Sequence, residues 1–461
     1  MALITLSACQ NPDEFLDVEP TGVVIPSTLE DYDKMLQDYA ILRSVGKNTR
    51  FIDPDVFHND KSFSSIANTD AFVNAYTWQH DIFEPGQADS DYADFYYYIH
   101  IMNEIISSVD GADAGNLNES NRNNIKADAL AQRAFEYFLV VNEYAHHYDP
   151  SNLDEPGVPM PLKVDLQAQL GRSTVGQVYE QILKDINAAL GLYDSGYQAI
   201  NSYANFRPGR ASVYALLAEV NLFMGDFDEA VTNSDTALKL YNFLYDYNTI
   251  NFSNPSNPWS GYNNNQQFYY GTFNREVIWN RYNYWGFTNP FHLYSPDLEV
   301  LYDKANDSRW YLFSNQKSSS GVDVSPYFVY MHASSERNIG LSVPRLMLTN
   351  AEAKVRNNDG AGAIKVMNTL LQNRLTNFTP LSYVNDATTL QLIKNERRKE
   401  LAGTSINVFD QKRYHVYGDP VPTYTRTNPL SGETFTLAPG DDGYVVEISQ
   451  AVKDINPKLN N

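Results

Sequence analysis

Cys9 is the only cysteine in a chain of 461 residues, and it closes the short apolar run "LITLSAC". A lone thiol in such a place has two uses. It can be buried as a small apolar group, or it can be the nucleophile that receives a lipid. Leu6, Ser7 and Ala8 fit the second use, with an aliphatic residue three positions ahead of the cysteine and small residues between. The acidic stretch "QNPDEF" that follows suits an extended tether. We read Cys9 as a lipidation site, residues 1–8 as the remnant of a lipoprotein signal that lacks its basic start, and residues 9–26 as the lipid-anchored tether. A single cysteine excludes an intramolecular disulfide and a structural zinc site built on thiolates.

The second group with a recognisable chemistry is aromatic. The chain has 33 Tyr, 23 Phe and 5 Trp, and "NPWSGYNNNQQFYYGTFNREVIWNRYNYWGFTNPFHLY" holds three of the Trp among Tyr and Asn. A pyranose offers an apolar C–H face to a ring and hydroxyls to amides, so this mixture suits sugar recognition. Trp259, Tyr262 and Trp285 fall in loop-like context and are candidate ligand platforms. Tyr282 and Tyr284 join them from the strand "EVIWNRYNYW", and Trp78 from "AYTWQHDIF". Each has a core alternative, because aromatic residues also fill cores and interfaces. Alternation along the strand puts Val277 and Trp279 on one face and Ile278, Asn280, Tyr282 and Tyr284 on the other, with Trp279 expected in the core.

Other chemistries find little support. The chain has 34 Lys and Arg against 56 Asp and Glu, a formal net charge of -22. That excludes a nucleic-acid partner, which needs clustered cations; the dense basic run "NERRKE" is flanked by acids. Within that run Arg397 and Glu400 are spaced for an ion pair on one helix. His146 and His147 are adjacent and so diverge on a helix. "ADSDYAD" lacks the spacing of a calcium loop, and no nucleophile elbow or phosphate loop occurs. No metal, cofactor or catalytic residue is expected. A carboxylate pair of the glycosidase kind stays open, since the acids are many and their distances are invisible in sequence.

The elements that must carry these residues are mainly helical. "STLEDYDKMLQDY" starts a helix at Ser27 or Thr28, with Leu29, Tyr32, Leu36 and Tyr39 on one face. Residues 45–92 are loop-rich. "YADFYYYIHIMNEIISSV" and "NNIKADALAQRAFEYFLVVNEYAHHY" carry helical apolar stripes, and Thr174 with Gln177 forms a capping box before "VYEQILKDINAAL". "RASVYALLAEVNLFMGDFDEAVTNSDTALKLY" reads as a helix hairpin turning at Gly225–Asp226, with the grammar of a tetratricopeptide repeat. A second copy turns at Asp359–Gly360. An Asn- and aromatic-rich segment, about 242–340, separates the copies, so the pairs are dispersed rather than tandem. They should build one helical wall with the insert packed on it. "DATTLQLIKNERRKELAGTSINVFDQKRY" is the last helical region, and "YVVEISQAVKDINPKLNN" is expected to open on a short strand.

In order along the chain, "FLDVEPTG", "RSTVGQVYEQILKDINAAL", "RASVYALLAEVNLFMGDFDEAV", "NERRKELAGTSINVFDQKRY" and "INPKLNN" resemble the SusD/RagB family of nutrient-binding outer-membrane lipoproteins. At Ser405, Ile406, Asn407 and Val408 the chain departs from the glycine and Trp or Arg that members often carry there. The resemblance implies a mainly α SusD-like fold over residues 27–461, with four dispersed repeat pairs and an irregular ligand-binding lobe with a few short strands. It implies a non-enzymatic protein anchored on the cell surface at the outer membrane. Such a protein captures oligosaccharides and acts as a lid that delivers them to a SusC-like TonB-dependent transporter. Peptide binding, known in some branches, is the alternative.

Overall fold

The first described helix, α1 (Leu29–Leu36), begins where Thr28 and Asp31 exchange side-chain and backbone hydrogen bonds in a capping box. The computed structural model describes residues 26–43, 46–64, 66–67, 69–165, 167–263, 273–282, 292–331 and 338–460. Cys9, Tyr284, Trp285 and residues 1–25 lie outside them. Helix α1 stops at Leu36, so Tyr39 does not extend its buried face. It sits instead in a 3-10 turn, Tyr39–Arg43, 43% exposed.

The helical scaffold follows in chain order. Helix α2 (Ser90–Ser108) is capped by Asp89, and α3 (Glu119–Tyr144) by Asn118. Helix α4 (Val175–Leu192) opens on the Thr174–Gln177 box, as its sequence predicts. Helix α5 (Arg210–Met224) ends at Gly225, whose φ of +81° is a left-handed cap that favours glycine. Asp226 then caps α6 (Phe227–Leu240). The second hairpin is α7 (Val343–Arg356) and α8 (Gly360–Leu371), with Asp359 as cap. The last helical region is two helices, α9 (Asp386–Glu400) and α10 (Ile406–Val416), broken at Gly403 and Ser405, which both have positive φ.

Neighbours in space are α2 with α3, α3 with α4, α4 with α5, α5 with α6, α6 with α7, and α7 with α8 and α9. The packing of α6 on α7 closes the wall across the insert. Helix α3 is its central post, buried on every side from Ala127 to Tyr144. Small residues let the hairpin backbones approach: Ala230, Ser234 and Ala237 of α6 are fully buried. His146 and His147 follow the end of α3 rather than lying on it.

The insert contributes short strands. A four-stranded antiparallel sheet runs in the order β1-β3-β5-β4. Strand β1 (Val56–Phe57) comes from the first loop-rich region. Strands β3 (Leu293–Tyr294), β4 (Ser314–Asn315) and β5 (Val329–Tyr330) come from the insert. The sheet therefore joins both irregular regions. Strand β2 (Val277–Trp279) pairs with β6 (Leu341–Ser342), which leads straight into α7 and ties the insert to the wall. Strand β2 is shorter than its sequence predicts and is buried on both faces, so its alternation does not separate inside from outside. A hairpin, β7 (Tyr424–Thr427) with β8 (Thr434–Leu437), was not expected, although both strands alternate Thr with larger residues. The expected strand near residue 445 is absent. That segment instead docks on the end of α3, where the Val446 amide donates to the Glu143 carbonyl at 3.0 Å.

Arginine–carboxylate pairs knit the interior. Glu219 on α5 accepts from Arg345 of α7 at 2.9 Å and from Arg397 of α9 at 2.7 Å. Arg397 also donates to Asp410 of α10 at 2.7 Å, and Arg413 of α10 grips both oxygens of Glu352 on α7. The expected Arg397–Glu400 pair does not form. Glu400 accepts from Arg309 and Arg374, each at 3.0 Å. Arg397 is buried, the Glu400 side chain is 6% exposed, and each is held by partners outside the helix they share.

Candidate ligand-binding surface

Loop 251–263 carries Trp259 and is held in a defined shape. Phe252 and Tyr262 bridge its ends, the Ser253 amide donates to the Gly261 carbonyl at 2.8 Å, and the Asn263 amide donates to the Asn251 carbonyl at 2.9 Å. Its tip is a 3-10 turn, Pro258–Ser260. The Trp259 indole N–H donates to the Lys317 carbonyl at 2.9 Å, which fixes the ring against the insert. Trp259 is half-buried between two apolar clusters, one with Phe252, Tyr262 and Leu312, the other with Leu293, Val324 and Val329. Phe57 and Tyr327, also half-buried, pack with tilted rings beside the second, their centres 5.0 Å apart. Tyr311, 5.0 Å from Phe252, is exposed.

Around this aromatic ground the side chains of Asn251, Asn254, Asn257 and Asn263 are exposed. The combination is rings with an open side beside neutral amides, which suits a sugar's C–H face and its hydroxyls.

Three of the residues expected as platforms are buried and cannot offer a ring face. Trp78 is 7% exposed, and its N–H donates to the Ile52 carbonyl at 2.8 Å. The Arg426 guanidinium lies 4.4 Å from its ring centre and itself donates to the carbonyls of Phe51 and Tyr76. Tyr262 stacks under the loop on Phe252 and gives its hydroxyl to the Leu312 carbonyl at 3.0 Å. Tyr282 is 1% exposed. Loop position therefore did not separate floor from surface, because the insert has a core of its own. Trp279 is buried as expected, with its N–H on the Phe206 carbonyl at 3.1 Å.

Tyr282 marks a second aromatic junction. Its amide donates to the Leu42 carbonyl at 2.7 Å, it bridges to Asn338, and its ring lies 6.4 Å from Tyr39. Tyr39 meets Phe206 edge to face at 5.9 Å. Tyr39, expected on one helix face with Leu29, Tyr32 and Leu36, is instead an exposed ring at this junction. Tyr282 and Trp259 belong to separate clusters.

Several ionisable groups are buried beneath the lobe. Asp53, buried beside Asp55, is pushed up to about 7 by burial and then by the Asp55 charge, while Asp55 is paired with Arg398. Burial drives His58 down to about 3, assisted by the charges of Arg426 and Arg50. Among the described residues no three His, Cys, Asp or Glu side chains are placed to hold a metal ion. No described helix is long and apolar enough to cross a membrane.

A mainly helical wall of dispersed hairpins, with an irregular lobe between them, is the architecture of a binding-protein family. A family model described as "SusD family" matches residues 224–458, half of the chain, and one described as "Starch-binding associating with outer membrane" matches residues 14–222. The chain belongs to the SusD/RagB family. Similar solved structures include a SusD superfamily protein from Bacteroides thetaiotaomicron, with 19% identity, TM-score 0.71, and coverage of 94% of this chain and 99% of that one. A SusD-like carbohydrate binding protein from Bacteroides vulgatus has 20% identity, TM-score 0.67, and coverage of 94% and 97%. A laminarin binding SusD-like protein has 18% identity, TM-score 0.61, and coverage of 86% and 94%. No curated protein matches the chain.

Proposed function

We propose that this protein binds oligosaccharides at the cell surface and delivers them to a SusC-like TonB-dependent transporter, acting as its lid. The observation that carries the ligand class is the Trp259 surface: a half-buried indole, fixed through its N–H, beside exposed neutral amides. Family membership supports the role, and carbohydrate-binding proteins among the similar structures support the ligand class. Trp259 supplies the contact face. Tyr284 and Trp285 are proposed to contribute from residues 283–291, while buried Tyr262 supports the surface from below. Cys9 is the proposed lipid anchor to the outer membrane and residues 9–26 its tether.

The function is capture without turnover. Affinity electrophoresis of residues 10–461 against a polysaccharide panel, with casein-derived peptides alongside, tests the ligand class. Retardation by a glycan with no product formed is the expected result. Peptide binding without any glycan retardation overturns the ligand class, and release of sugar by the pure protein overturns the non-catalytic reading.

A further inference from the structure

A groove whose lining includes neither Trp259 nor any residue of loop 251–263 lies between the end of α8, the loop 372–380 and the 3-10 turn Tyr247–Thr249. Its volume is about 620 Å³, within the range of small-ligand sites. Asn248, Asn368, Gln372 and Asn377 line it with amides, and Thr369 and Thr376 with hydroxyls. Leu375, Phe378 and Pro380 supply its apolar part. No charged side chain lines it. Four other cavities each carry at least one, for example Glu276, Asp149, Glu143 and Lys163. In a chain with a net charge of -22, a groove of this size lined only by neutral groups is a distinct chemical environment.

The groove is also held open before any ligand arrives. Asn368 clasps the Leu381 backbone through both amide atoms, donating at 3.0 Å and accepting at 2.8 Å. The Thr376 amide donates to the Asn306 carbonyl at 2.8 Å, and the Ser308 amide to the Arg374 carbonyl at 2.8 Å. Arg374, fully buried, anchors the loop from below on Glu276 at 2.9 Å and Glu400 at 3.0 Å. Asn248 is set by donating to the Gln372 carbonyl at 3.1 Å and accepting from Ser308 at 2.7 Å. These anchors leave Thr369, Gln372, Thr376 and Asn377 exposed at the rim and Phe378 half-buried. A fixed loop lowers the ordering cost of binding. Neutral donors and acceptors around a ring match a neutral sugar chain better than an ionised ligand.

We infer that this groove is a second binding site for a neutral oligosaccharide, formed by Gln372, Thr376, Asn377 and Phe378 on the helical wall. It goes beyond the Trp259 surface but rests on the proposed glycan ligand class. Two sites on one molecule would hold a long polysaccharide more tightly than either alone.

The test uses the full chain and a panel of soluble starch, laminarin, xylan, mannan and levan, with polygalacturonate as the charged comparison. The first readout is gel retardation of wild type, of Trp259→Ala, and of the rim double variant Gln372→Ala/Thr376→Ala. The second is amide hydrogen exchange with and without the retarding glycan. The rim variant changes only exposed side chains, and a thermal melt checks its fold. The expected result is about fivefold weaker retardation in the rim variant, with glycan-dependent protection across 368–381 that persists in Trp259→Ala. If a neutral glycan retards wild type while the rim variant matches it and 368–381 shows no protection, the second site is overturned and the glycan reading stands. If only polygalacturonate is retarding, the neutral second site is overturned and the glycan reading stands; if no polysaccharide of the panel binds, both are overturned.

Discussion

Arg397 and Glu219 meet at 2.7 Å in the protein interior although 178 residues separate them in the chain. Glu219 stands on one helix hairpin and Arg397 on the helix that follows the other. Their contact bridges the two hairpins across the whole insert. Arg345 and Thr349 complete the acceptor side of Glu219, and Asp410 completes the donor side of Arg397. Removing one member of such a pair leaves a buried charge behind, so its loss costs more than its presence adds.

Arg397→Ala should therefore destabilise the fold by about 3–5 kcal/mol. Arg397→Lys should fall between, because a single ammonium cannot serve both carboxylates with the geometry of a guanidinium. Lys365→Ala, at an exposed position on α8, should change little. Urea unfolding at neutral pH measures all three.

The same pair sets an acid limit. Burial pushes the Glu219 carboxyl up, but the charges of Arg345 and Arg397 outweigh it and hold the group down at about 2, against 4.5 ordinarily. The unfolded chain takes up this proton first as pH falls. The stabilisation is thus complete above about 4.5 and is lost as pH falls towards about 2. In Glu219→Gln the urea midpoint should start lower at neutral pH and decline less over that acid window.

Asp89 should act with the opposite sign. Burial, then the charge of Asp91, pushes its carboxyl up to about 6 from an ordinary 3.8. Between those values the folded protein holds a proton that the unfolded chain has released, so stability falls as pH rises. Asp91 and Glu143 beside it are raised in the same way, chiefly by burial. Lys47 pairs with Asp91 at 3.6 Å, and Tyr144 donates to Asp89 at 2.6 Å. Asp89→Asn keeps an acceptor at the start of α2 and should flatten, without abolishing, the fall in urea midpoint across that window. An unchanged slope would show that Asp89 is already ionised.

The two tryptophans at 259 and 78 should separate binding from folding. Trp259→Ala should weaken glycan retardation about tenfold, about 1.4 kcal/mol, with little change in melting. Trp78→Ala removes a buried ring that donates to Ile52 and lies under Arg426, and should cost about 3–5 kcal/mol of stability. Equal loss of binding in both, at matched folded fraction, would place Trp78 at the ligand instead.

Metabolic labelling with a palmitate analogue should mark the full-length chain and not Cys9→Ala. Equal labelling of the two would remove the anchor from the proposed function.

Much of the scaffold was legible because it is written in local terms. Thr174 and Gln177 lie one helical turn apart, and Gly225 supplies a backbone conformation that few residues adopt. Such signals involve neighbours in the chain, so a sequence shows them directly. The lobe was harder to read. Its sheet pairs Val56 with Tyr294 and Leu293 with Val329, in strands of two residues that are too short to carry a period. The hairpin at Tyr424–Leu437 alternates Thr with larger residues, but over strands of only four residues, which is a weak signal beside the longer helical patterns.

By itself the sequence determined the helix hairpins, their caps and turns, and, through the order of its motifs, the family. Only the tertiary structure decided which partner each buried charge took and which aromatic ring kept a free side. Arg397 was spaced for Glu400 but found Glu219 and Asp410. Trp78 and Trp259 both read as loop tryptophans, yet one is sealed in the core and the other half-open. Spacing along a helix permits a contact. Burial makes a group either pair its charge or give it up, and where the partners lie depends on how distant segments pack.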